Sequence, residues 1–161
     1  MPASPINLKN MNLACRMLEL GVRPHLVSHV MAFPHNIITD WYVQITGQRP
    51  KRGQLRDGAA SYVETRRDAR RLSIFCAIYQ DEKGSETPSV EHLVTSIERF
   101  NNLYPRKRID GTLAWMAVRD IDTGVLTFRF CKSCRLPYLY YLGRERLRTC
   151  SFCDSRNGRS F

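Results

Sequence analysis

Cys131-Lys132-Ser133-Cys134 and Cys150-Ser151-Phe152-Cys153 are two Cys-x-x-Cys pairs with fifteen residues between them. Each pair can close a tight knuckle that aims two thiolates at one point. Two knuckles facing each other supply four sulfurs in a tetrahedron, the donor set of one structural Zn2+. Such a site is closed, with no position left for water or substrate. The same residues could instead form disulfides or remain spare buried thiols. The spacing favours the metal, so Cys131, Cys134, Cys150 and Cys153 are expected to be its ligands.

Working outward, Leu126, Phe128 and Phe130 alternate with Thr127 and Arg129, which reads as a strand leading straight into the first knuckle. Between the knuckles, aromatic-rich Leu136 to Leu142 and basic Arg144 to Arg148 point to a hairpin turning near Gly143. A ribbon of this size buries too little apolar surface to offset its ordering entropy, so the metal is expected to contribute much of its folding free energy. From Arg129 to Phe161 there are eight basic residues, Arg156 and Arg159 among them, against Glu145 and Asp154. That excess makes Arg135, Arg144, Arg146 and Arg148 candidate nucleic-acid contacts. Tyr138, Tyr140 and Tyr141 are available to stack on bases or to pack the hairpin.

Ahead of the ribbon the apolar period is helical. Leu8, Met11, Cys15 and Leu18, flanked by Leu13 and Ala14, predict a helix over 7–20 ended by Gly21. Pro24 suits the first turn of a short second helix carrying Leu26, Val27, Val30 and Met31. Pro34 opens a third over 35–46, with Ile37, Ile38, Trp41, Tyr42 and Ile45 at helical spacing and Gly47 as its stop. Residues 59–80 read as one helix with Arg66, Arg67, Arg70 and Arg71 toward one side. Thr87-Pro88 reads as the cap of the next, which runs from Val90 to Tyr104, and Asp110 caps a last helix that Gly124 terminates.

The expected fold is therefore mainly α, a helical N-terminal region followed by a small C-terminal zinc ribbon with four cysteine ligands. At 161 residues this is one domain or one domain with an appendage, divided here as a helical DNA-binding and oligomerisation region over 1–124 and a ribbon over 125–161. The second and third helices, joined by Ala32 to Pro34, have the dimensions of a helix-turn-helix, although helical hairpins in ordinary bundles share them. A basic loop follows, Gln48-Arg49-Pro50-Lys51-Arg52-Gly53-Gln54-Leu55-Arg56.

Lysine and arginine number 25 against 15 acids, a formal +10, which four thiolates and one zinc ion bring to about +8. Double-stranded DNA is the expected partner of that charge, with Arg49, Lys51, Arg52, Arg66, Arg67 and Arg70 on its phosphates and the helix over 35–46 offering polar groups to base edges. A solvated basic face and an RNA partner remain open from charge alone. No apolar stretch is long enough to cross a bilayer and the first residues do not read as a signal peptide, so a cytoplasmic protein without membrane contact is expected. Cys15 and Cys76, outside the quartet, fall in apolar helical patterns as core thiols. An enzyme is not expected, because four thiolates fill the metal and no nucleophile-base pair stands out; His25 and His29, one turn apart, lack a third ligand.

The run Leu18-Glu19-Leu20-Gly21-Val22-Arg23, then Trp41-Tyr42, Ile45-Thr46-Gly47, Pro50-Lys51 with Gly53, and Ala114-Trp115 ahead of the strand and the four cysteines, resembles the FlhC family in the same order over nearly the whole chain. That family comprises the flagellar transcriptional activator FlhC and its relatives on conjugative mobile elements. The resemblance implies a DNA-binding subunit that works in a hetero-oligomer with an FlhD-like partner and recruits RNA polymerase at promoters. It also places the family's zinc ligands on Cys131, Cys134, Cys150 and Cys153. Two departures lead to the expectation of a mobile-element regulator of transfer genes rather than a flagellar one. The chain stops eight residues after Cys153, where flagellar members continue with a tail, and its middle is shorter and richer in arginine. The competing reading is an interaction or adaptor protein whose ribbon docks other subunits without touching nucleic acid.

Overall fold

A computed structural model describes residues 5–153. Its elements are α1 (Pro5–Glu19), α2 (Pro24–Met31), α3 (His35–Thr46), α4 (Arg66–Lys83), α5 (Val90–Leu103), α6 (Gly111–Asp122), β1 (Thr127–Phe130) and β2 (Pro137–Tyr140), with 3-10 turns at Ala59–Tyr62 and Glu145–Leu147. The protein is thus mainly helical, with its four paired cysteines beside one small sheet. The chain forms two compact units, the first from residues 1–54 and 89–115, the second from 55–88 and 116–161.

In the first unit α1 packs against α2, α3 and α5, and α2 against α3. The buried face of α1 is Leu13, Ala14, Met17 and Leu18, whereas Met11 and Cys15 are half-buried and Leu8 is 58% exposed. Of the expected stripe only Leu18 lies on the inward face, which the flanking Leu13 and Ala14 complete together with Met17, and Leu8 lies outside it. Pro24 stands in the first turn of α2, and Leu26 and Val27 are buried. α2 ends on Ala32 in the left-handed region at φ 55°, and α3 begins three residues later and ends on Gly47 at φ 69°. Only Ile38 of α3 is buried, so most of that helix faces outward. The start of α6 presses on the α1–α2 connection. A Cβ on Gly111 would lie 2.5 Å from the Leu20 carbonyl oxygen, which accepts a 2.9 Å hydrogen bond from the Gly111 amide. Asp110 Oδ1 caps α6 by accepting from the amides of Thr112 and Leu113.

The helix expected over 59–80 is two elements. Ala59–Tyr62 is a 3-10 turn, and the chain is extended at Val63 and Thr65 before α4 begins. The reason is a capping box: Thr65 Oγ1 accepts from the Asp68 amide at 3.1 Å while Asp68 Oδ2 accepts from the Thr65 amide at 2.8 Å. The start of α5 also differs. Ser89, not Thr87, is its N-cap, accepting from the His92 amide, because Pro88 keeps Thr87 out of a helical conformation.

The second unit holds α4, the end of α6 and the ribbon. β1 and β2 pair antiparallel with Phe128 opposite Leu139 and Phe130 opposite Pro137. The hairpin expected near Gly143 is instead closed by the first knuckle itself, where the Cys131 amide donates to the Leu136 carbonyl. After Leu142 the chain does turn back, but Glu145–Leu147 is a 3-10 turn rather than a strand, with the Tyr141 amide bonded to the Leu147 carbonyl. α4 packs against β2 and this turn, burying Ala69, Leu72, Phe75, Cys76, Ile78 and Tyr79.

Candidate functional site

The strand ladder delivers Cys131 to the edge of its hairpin, and a left-handed Arg135 at φ 59° reverses the chain after Cys134. The second knuckle follows the 3-10 turn. The four Sγ atoms all lie within 4.8 Å of one another, Cys131 to Cys153 at 3.5 Å and Cys134 to Cys150 at 3.6 Å. These separations are far from a disulfide, whose S–S bond is about 2.05 Å. They match a tetrahedron of sulfurs about 2.3 Å from a central ion, whose edge is about 3.8 Å. The quartet could hold a metal ion, and its all-thiolate chemistry fits Zn2+.

The backbone is arranged for anionic sulfur. The amides of Cys134 and Ser133 donate toward Cys131 and hold its thiol down at about 6. At Cys150 burial pushes the thiol up, against the amides of Cys153 and Phe152; the Phe152 amide lies 3.4 Å from its Sγ. Hydrogen bonding to Cys131 and Cys134 pushes Cys153 up to about 12. Sulfurs this close resist carrying four negative charges together, and a divalent cation at their centre reverses that balance.

Around the quartet, α4 supplies a row of side chains that sequence reading assigned to nucleic acid or passed over. Arg66 Nη2 donates to the Cys150 carbonyl at 3.0 Å and Arg70 Nε to the Ser151 carbonyl at 3.1 Å, with the Arg70 guanidinium over the Phe152 ring. One turn further, the Ser73 hydroxyl accepts from the Leu139 amide at 3.0 Å. Ser73 was missed. Its signal is a polar residue inside the apolar stripe of a helix, which must find a partner when buried.

The remaining candidate cations divide in two. Arg144 Nε donates to the Val63 carbonyl at 2.8 Å and Arg148 Nε to the Leu142 carbonyl at 2.8 Å. Arg67, Arg135 and Arg146 are exposed on the second unit, while Arg49, Lys51 and Arg52 are exposed together on the first, in the loop after α3. Arg156 and Arg159 lie outside the described residues. Tyr140 packs under the Arg129 guanidinium at 3.3 Å, so it serves the hairpin. Cys76 is fully buried and pushed far up by burial and then by Asp120 and Asp122, an inert core thiol; Cys15 is half-buried. Among the described residues no helix is long and apolar enough to cross a membrane.

Comparison with known proteins places these observations. The family model described as "Flagellar transcriptional activator (FlhC)" matches residues 5–160. The flagellar transcriptional regulator FlhC of Verminephrobacter eiseniae is 25% identical over 154 residues, 91% of this chain and 83% of the relative. That of Cupriavidus metallidurans is 24% identical over 132 residues, 79% of this chain and 62% of the relative. With a match running from α1 past the second knuckle, the chain belongs to the FlhC family of transcriptional activators.

Proposed function

We propose that the chain is the zinc-containing DNA-binding subunit of a hetero-oligomeric transcriptional activator. It binds promoter DNA in the cytoplasm, assembles with an FlhD-like partner and recruits RNA polymerase. The observation that carries the DNA contact is the exposed cluster Arg49, Lys51 and Arg52 directly after α3. α2 and α3 act as a helix-turn-helix, with outward residues of α3 at base edges and loop cations on phosphates. Arg67, Arg135 and Arg146 extend the footprint, while Arg66, Arg70, Arg144 and Arg148 combine charge with holding protein carbonyls. Functionally, residues 1–124 read and assemble, and the Zn2+ ribbon over 125–161 supports them.

The test is charge reversal, Arg49→Glu with Arg52→Glu, in the complex co-expressed with its partner. Promoter retention in a gel-shift assay is expected to disappear while the complex still elutes intact. The adaptor reading is favoured by apolar groups at the ribbon, Phe130 at 75% and Leu142 at 66% exposure. It expects the opposite outcome, intact promoter occupancy for the double variant and loss of assembly when Phe130 becomes serine.

A further inference from the structure

One cleft of the first unit concentrates charge of a single sign. It measures about 620 Å3 and is walled by Arg23, His25, His35, Arg49, Lys51 and Arg52, with Val43 and Pro50 as its apolar surface. No carboxylate lines it. Its shape is held from both ends. Arg23 Nη1 donates to the Gly53 carbonyl at 2.8 Å, tying the loop to the start of α2, and Thr46 Oγ1 accepts from the Gln48 amide at 3.2 Å where the loop leaves α3. Gly53 has φ 125°, which lets the loop fold back. Cations gathered this way repel one another, and a concave wall focuses their field on whatever anion enters.

We infer that this cleft is a seat for a phosphoryl group, gripped by Arg49, Lys51 and Arg52 and closed by Arg23 and the imidazoles of His25 and His35. Donors reach the cleft from three walls, the start of α2, the start of α3 and the loop. A carboxylate presents two oxygens in one plane, whereas a phosphoryl group presents three in a cone, one for each wall. The electrostatics agree. His25 is held below the ordinary imidazole range by partial burial, then by the positive charges of Arg23 and His35. An anion among Arg23, His35, Arg49, Lys51 and Arg52 acts in the opposite direction.

The inference deepens the promoter reading, since Arg49, Lys51 and Arg52 are the cations that reading sets on DNA phosphates, and the outcomes below separate the failure of one from the failure of the other. A duplex backbone and the polyphosphate of a small molecule offer the same group. The probe is inorganic pyrophosphate, titrated into the full, metal-loaded chain while the His25 and His35 ring protons are followed by NMR, assigned with His25→Asn and His35→Asn. Both resonances are expected to shift and the His25 titration midpoint to rise. Arg49→Ala with Arg52→Ala is expected to weaken binding by roughly tenfold or more. Lys83→Ala with Arg106→Ala, which removes equal charge elsewhere, is expected to leave it within about twofold. Equal weakening by both double variants, or unmoved imidazoles, overturns the seat in favour of diffuse charge. A duplex is then added. Displacement of pyrophosphate identifies the backbone as the source, and binding without displacement identifies a free phosphorylated molecule; both support the seat. Loss of duplex binding with the pyrophosphate response intact sinks the promoter reading alone, and a duplex that binds while the imidazoles ignore both probes sinks the seat alone.

Discussion

Arg66 and Arg70 stand in the sequence as two members of a basic run, and their charge alone points outward to a polyanion. Their hydrogen bonds to the carbonyls of Cys150 and Ser151 make them positioning residues for the second knuckle. Nothing local announces this, because the partners lie more than eighty residues away in the chain. Outer contacts of this kind fix ligand orientation, so Arg70→Ala is expected to weaken metal retention by about tenfold to a hundredfold. Competition with a chromophoric chelator measures it, and retention equal to the parent's removes the role. The convergence of the four cysteines was legible, since knuckle spacing is a local property. Ala32 makes a second residue-scale point. It closes α2 in the left-handed region at φ 55°, where a Cβ crowds the following carbonyl. Ala32→Gly is expected to stabilise the fold by ~0.5–1 kcal/mol, read as a higher denaturant midpoint at unchanged m.

Among the elements, those with proline or glycine at their ends were readable almost to the residue, as with α2 and α3, because those residues act through their own backbone. The break before α4 was not, since apolar residues continue across it at helical spacing while a Thr-x-x-Asp box decides where the helix starts. Thr65→Ala is expected to cost about 1 kcal/mol. The box carries a pH signature. Burial pushes the Asp68 carboxyl up, but hydrogen bonds from the Thr65 hydroxyl and amide and the Glu64 amide, with Arg71 nearby, outweigh it and leave the group below its ordinary value. A carboxyl lowered on folding contributes stability above its unfolded pKa, and that contribution is lost as pH falls through the folded value. The stability gap between parent and Asp68→Asn is therefore expected to narrow on acidification, checked by urea titrations at neutral and acid pH. The hairpin was misplaced for a related reason: alternation identified β1, but its partner is chosen by a turn made of the first Cys-x-x-Cys pair.

For the whole molecule, the formal charge is a poor guide to which cations are available, since four of the ten candidate basic residues hold backbone carbonyls. Duplex affinity is expected to fall linearly in log-log plots against salt, and removing Arg49 and Arg52 to reduce the slope by about 2. An unchanged slope would exclude the loop from the interface. Metal content is expected at one ion per chain by native mass spectrometry. Its chelation should speed hydrogen exchange at the Leu139 amide, which the Ser73 hydroxyl holds. Each compact unit is stitched from two stretches far apart in the chain, residues 55–88 sharing one with 116–161. A cut after residue 124 would strip α4 of the strands and cysteines that share its unit, so a truncated chain is expected to report a lost core before it reports a lost function.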